Sequence, residues 1–119
     1  MNNGKPVVHR VVIAADPGIA INPDIVLAQL QGAVNYGLSM AMLGNITIKK
    51  GTVQQNNFYD YPVLQMDRTP DIEAHIIPSS ASPTGIGEVG VPPIAPAIGN
   101  AIFALTGKRV RKLPFQQQS

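Results

Sequence analysis

The sequence contains no cysteine and no tryptophan. The first absence excludes a disulfide scaffold, a thiolate metal site, an iron–sulfur cluster held by this chain and a cysteine nucleophile. Aromatic residues of all kinds make up only 5%. A base-stacking surface needs more rings than that, so nucleic acid is not an expected partner. Charge is scarce as well: Asp, Glu, Lys and Arg together reach 13%, against roughly 25% in ordinary domains. MNNGKPVVHR has no apolar run of the signal-peptide kind, so no targeting signal is read and cytoplasm and periplasm both stay open.

Against these absences stands a 45% apolar content in 119 residues. That is enough for one domain, 1–119, with a real core, and too apolar for a disordered chain. Low charge on so small a domain suggests that much of its surface is covered by something else. Glycine and proline, 11 each, are spread without period, so they mark fixed turns rather than a linker or collagen. Net charge is +2, and four of the nine basic residues stand together as Lys108, Arg109, Arg111 and Lys112. Residues 25–48 carry no charge, but polar residues and three glycines break the run. It reads as a buried helix and strand, not a membrane span.

Val7 to Ala14 is rich in β-branched residues and predicts a strand, ended by Asp16-Pro17-Gly18. Asn22-Pro23-Asp24 has the chemistry of a helix start: a capping amide, a proline in the first turn and an acid at the positive end. Ile25 to Met42 follows with Val26, Leu30, Ala33, Val34, Leu38 and Ala41 on one face. Leu27 and Met40 widen the apolar surface, which predicts a helix buried on most sides. Gly32 and Gly37 lower helix propensity and predict close approach of another backbone; Gly44 is placed to end the helix. Ile46–Lys49 and Thr52–Gln55 flank Lys50-Gly51 as a hairpin. Ile72 to Ile77 reads as a strand. Pro92 to Leu105 reads as a second helix with Ile94, Ile98, Ile102 and Leu105 inward and Gly107 as its stop. Arg109 to Leu113 reads as a last strand. The order strand, helix, hairpin, strand, helix, strand predicts an α+β fold, two helices on a mostly antiparallel sheet.

The stretch PTGIGEVGVPP, Pro83 to Pro93, is the most informative. Between Glu73 and Lys108 the only residue charged at pH 7 is Glu88. It sits among Gly85, Gly87 and Gly90, where backbone can come close to a ligand. A lone carboxylate in an uncharged loop is costly to bury unless it is used or paired, and desolvation would make it a proton acceptor. The other reading is a turn glutamate that caps the next helix or faces water. The glycines also match G-x-G-x-x-G, but a Ser/Pro loop precedes them and Pro92, Pro93 and Pro96 remove donors, which excludes a dinucleotide site. His9 and His75 read as satisfied histidines rather than metal ligands. Asp60 and Asp67 read as turn residues rather than a paired acid and base, and Met40 and Met42 as core filler. No metal ligands are assigned.

GIGEVGVPPIAPAIGNAIFALTGKRVRKLP resembles the C-terminal signature of the molybdenum hydroxylases, the xanthine dehydrogenase and aldehyde oxidoreductase family. The likeness is greatest to the large, molybdopterin-binding subunits of isoquinoline 1-oxidoreductase type. It extends through Asp16-x-Gly18, Asn22-Pro23, Gln29-x-Gln31-Gly32 with Gly37, and Asn57-Phe58-x-Asp60-Tyr61, covering nearly all of 7–115. The resemblance implies the C-terminal portion of a molybdopterin-binding domain, with the loop glutamate, here Glu88, as catalytic base. It places Gly85, Gly87 and Tyr36 toward the molybdopterin, although Tyr36 stands where many relatives carry glutamine. It further implies oxidative hydroxylation of an N-heterocycle or aldehyde with water as oxygen source. The remainder of the large subunit would complete the site, and iron–sulfur clusters would sit on a partner small subunit.

A second reading is a non-catalytic, cofactor-free α+β binding module that associates with itself, because 119 residues cannot enclose a large pterin cofactor. An active chain would need its partners, and would be inactive alone.

Overall fold

The computed structural model describes residues 4–115; residues 1–3 and 116–119 of the expected domain lie outside the described residues. In chain order the elements are β1 (Arg10–Ala15), α1 (Pro23–Met42), β2 (Ile48–Lys49), β3 (Thr52–Val53), a 3-10 turn (Met66–Arg68), β4 (Asp71–Ile76) and α2 (Ile94–Thr106).

α1 starts where the capping chemistry put it. Asn22 is extended, and its Oδ1 accepts the N–H of Ile25 at 3.2 Å. That satisfies one of the free donors at the helix start, with Pro23 supplying a preset φ. Val26, Leu30, Ala33, Val34, Leu38 and Ala41 are buried, as the 3.6-residue spacing predicts. The opposite face is not buried: Ile25, Tyr36 and Met40 are exposed, so α1 is covered on one side and not on most sides. Met42 fills the core and Met40 does not.

The α+β class holds, but the strand pair beside the helices is parallel. β1 runs alongside β4 from Arg10 opposite Asp71 to Ala15 opposite Ile76. This corrects the expected mostly antiparallel sheet. Alternation within a strand encodes which face is buried, not which way the partner runs. Direction is set by the long crossover through α1 and the hairpin, which returns the chain to the end where β1 began. The antiparallel pairing is confined to β2 and β3. Their turn, Lys50 at φ 50° and Gly51 at φ 79°, has the left-handed geometry that two-residue hairpins favour.

α1 packs on β4 and on α2. The core joins Val34, Leu38, Ala41 and Met42 of α1 to Ile94, Ile98 and Ile102 of α2 and to Phe115. Gly37 permits this approach: a Cβ there would lie 2.9 Å from Ile94 Cβ. Gly32 meets nothing within 4 Å, so its expected role in close backbone approach is not seen. Gly107, left-handed at φ 69°, ends α2. Beyond it residues 109–113 form no strand, contrary to expectation, because no described strand lies alongside to pair with them. Arg109 instead lies over the Phe103 ring, 4.1 Å from its centroid. Leu105, expected inward, is 66% exposed. It borders an open groove between α2 and residues 6–12. No helix among the described residues is long and apolar enough to cross a membrane.

Candidate functional site

The glycine-rich loop is held at both ends. At its start, the turn after β1 acts as a clamp. Asp16 Oδ1 accepts the Gly18 N–H at 3.0 Å. Pro17 O accepts the Thr84 N–H at 2.8 Å, and the Ile19 N–H donates to Ala81 O at 3.0 Å. Gly18 is left-handed, and a Cβ would run into the carbonyls of Ala81 and Ser82. Only glycine combines that φ with that contact.

At its far end the loop lies on α1. The Gln29 side-chain amide donates to Gly87 O at 2.6 Å. Gly90 is buried with space for no side chain, since a Cβ would sit 2.7 Å from Ala33 Cβ. Glu88 O accepts the Val91 N–H at 2.9 Å, and Val91 O accepts that of Ile94, leading into α2.

Glu88 stands between these anchors with its side chain exposed. Within the described residues it is therefore not the desolvated carboxylate that the loop composition suggested. Nor does it cap α2, which begins with no side-chain cap. Gly85 lines a cleft of about 260 Å³ with Asp16, Leu30, Thr84, Val89 and Pro93. A Cβ at Gly85 or Gly87 would meet open space, and the N–H groups of Gly85, Gly87 and Glu88 make no hydrogen bond among the described residues.

Tyr36 is not brought into that cleft. It is 65% exposed and lines a separate cavity of about 430 Å³ with Asn35, Ser39, Tyr61 and Thr69. Asn35 Oδ1 is buried there without a hydrogen-bond partner among the described residues. Gln29, Gly32 and Tyr36, three and four residues apart, run along one exposed face of α1, so that face links loop and cavity.

Three groups were not singled out as partners in the sequence. Glu73 bonds Arg10 across the parallel pair, and His75 Nε2 lies 2.7 Å from its Oε1. The Arg10 hydrogen bond, seconded by His75, holds the Glu73 carboxyl below the usual carboxylate range. His9 is exposed, as is Asp67. Asp60 accepts the N–H groups of Asn56 and Asn57 at 3.0 and 2.9 Å, a turn role as expected. Among the described residues no three His, Cys, Asp or Glu side chains could together hold a metal ion.

The site residues fit a bound molybdopterin on two counts. They offer free backbone donors at the glycine loop and an orphaned acceptor, Asn35 Oδ1, beside Tyr36. An unpaired buried acceptor is costly, and a ligand N–H would relieve it.

Comparison with known proteins agrees. Residues 1–70 match the family described as the molybdopterin cofactor-binding domain. The chain is 39% identical over 109 residues to isoquinoline 1-oxidoreductase subunit beta of Brevundimonas diminuta, covering 92% of this chain and 14% of that protein. It is 30% identical over 117 residues to the xanthine dehydrogenase molybdenum-binding subunit of Escherichia coli, covering 92% of this chain and 16% of that protein. Quinoline 2-oxidoreductase from Pseudomonas putida 86 shares the fold with a TM-score of 0.79 and 22% identity, over 91% of this chain and 15% of that chain. The chain thus spans about a seventh of the length of these relatives. It belongs to the molybdopterin cofactor-binding domain family and corresponds to a segment of the molybdenum hydroxylase large subunits.

Proposed function

We propose that this segment supplies Glu88 as general base to the oxidative hydroxylation of an N-heterocycle or aldehyde, with water as oxygen source. The observation that supports this reading is the placement of Glu88. It is the one charged side chain between Glu73 and Lys108, and it projects from a loop fixed by Gln29, Gly90 and the Gly18 turn. A flexible surface glutamate needs no such anchoring.

The chemistry balances as substrate C–H plus water giving C–OH, two protons and two electrons. A bound molybdenum cofactor supplies the two-electron acceptor. Glu88 takes a proton from the water-derived oxygen as that oxygen bonds to the electron-poor carbon. Polypeptide beyond this segment would complete the site over the loop and exclude bulk water from it. The N–H groups of Gly85 and Gly87, unpaired among the described residues, would hold polar edges of the cofactor, and Asn35, with Tyr36 beside it, would face the pterin. Iron–sulfur clusters to take up the electrons would sit on a partner small subunit, since this chain has no cysteine to hold them.

The test is Glu88→Gln in the assembled enzyme. Turnover is expected to fall by a factor of about 100 or more, typical of a lost general base. Molybdenum content and subunit composition should not change. Turnover within threefold of wild type would remove Glu88 from the mechanism.

A further inference from the structure

The helix layer is wider than the sheet that covers it. α1 and α2 pack side by side, and helices in contact lie about 8–10 Å apart. Strands are spaced at about 4.8 Å, so two strands leave part of that width bare. β4 packs on α1, and no described strand packs comparably on α2. There the residues 6–12, including β1's outer edge, form a groove of about 340 Å³ with Ala97, Ala101 and Leu105 of α2. These three are exposed and spaced four residues apart, one apolar stripe along the helix.

The edge itself is open. Asp71 N–H donates to His9 O and Ile77 N–H to Ala15 O. In a parallel ladder this aims the backbone groups of His9, Val11, Ile13 and Ala15 at β4. Those of Arg10, Val12 and Ala14 point the other way, and β1 has no other strand beside it among the described residues. A parallel pair is ordinarily buried inside a larger sheet, and a lone pair is marginal in water.

We infer that β1 receives a further strand on this edge, laid over Ala97, Ala101 and Leu105. The occupant is an extended, alternately apolar segment of the large-subunit polypeptide outside the stretch this chain spans. Length supports that choice. The chain matches 14% of its isoquinoline-oxidising relative and 15% of the quinoline-oxidising chain, so most of the polypeptide that could lie here is absent from this segment. Charge supports it too: no residue from 89 to 107 is charged, and Arg10 on the other wall is already paired with Glu73, which suits an apolar strand from the same fold rather than a polar, separable partner. This inference rests on the family and not on the role of Glu88.

The test reads backbone exchange in the assembled enzyme, independent of activity. Hydrogen exchange resolved to single amides should show Arg10, Val12 and Ala14 as protected as Val11, Ile13 and Ala15. Exchange about 100-fold faster at Arg10, Val12 and Ala14 would overturn the proposal, because it marks an edge left in water. A photo-crosslinking phenylalanine analogue at Leu105 then identifies the occupant. A cross-linked peptide from elsewhere in the large subunit is the expected product. A peptide from another subunit, or from a second copy of this segment, would overturn the assignment.

Discussion

The side-chain amide of Gln29 donates to the carbonyl oxygen of Gly87, the residue before Glu88, at 2.6 Å. One helix residue thus sets the height of the loop that carries the carboxylate. Gln29→Ala removes the donor and frees the loop. If Glu88 is the base proposed above, turnover in the assembled enzyme should fall by about tenfold from its misplacement. Exchange at residues 85–90 should quicken while molybdenum content holds. Unchanged exchange there would show that the bond does not restrain the loop.

Gly90 and Ala33 form a steric pair. Gly90→Ala places a methyl group 2.7 Å from Ala33 Cβ, a short and inflexible side chain that cannot swing aside. Overpacking of this kind costs about 1–3 kcal/mol. Urea denaturation should show that loss, and Ala33→Gly on the same chain should restore most of it. Failure of the second substitution to rescue would mean that the strain lies in the loop backbone.

Gly37→Ala should behave as a core lesion rather than a helix-propensity gain. Alanine favours helix over glycine by about 1 kcal/mol, yet here its Cβ would lie 2.9 Å from Ile94 Cβ. The clash outweighs the propensity, and the net effect is destabilising. Gly32→Ala, with nothing within 4 Å, should instead be neutral or stabilising in the same urea titration. Equal effects at the two sites would contradict the packing described.

Glu73 carries a pH signature. Its carboxyl is held below the ordinary value in the folded chain, first by Arg10 and then by His75. The unfolded chain lacks those partners. The stabilisation is therefore complete above the ordinary carboxylate value of about 4.3, and it is lost as pH falls through the depressed folded value. The pair is exposed, so the effect is small and screened by salt. Wild type should exceed Glu73→Gln in urea midpoint at neutral pH, and the gap should close in strong acid. A gap that persists in acid would assign the difference to packing.

Much of this was written into local spacing. The α1 core face follows from every third or fourth residue, the Asn22 cap from one amide ahead of a proline, the hairpin from Lys50-Gly51. What local spacing does not carry is which distant segment lies alongside. β1 and β4 each read as strands, but their parallel pairing depends on how the crossover returns. IEAHII alternates because one face of β4 meets helices and the other does not, a pattern shared by antiparallel strands. Leu105 fits an inward helical position but borders a groove that stays open. At the site, Glu88 stood out by its isolation in charge. Gln29 did not, because a glutamine on an exposed helix face is ordinary until the loop that it holds is known. Arg10 lies on β1, while Glu73 and His75 lie two residues apart on β4, and only the register of the two strands brings Arg10 to that pair.

The anchors of the glycine loop have a bearing on how its length can vary. Pro17 and Gly18 fix residues 81–84, and Ala33 and Gly37 receive Gly90 and Ile94 at the same four-residue interval. No slack remains between these clamps. Adding or deleting one residue there moves the carboxylate by about 3.5 Å along the chain, more than a hydrogen bond can span. The stretch before Ala81 has no such double hold. A one-residue insertion is therefore expected to be tolerated on that upstream side and not within residues 84–94.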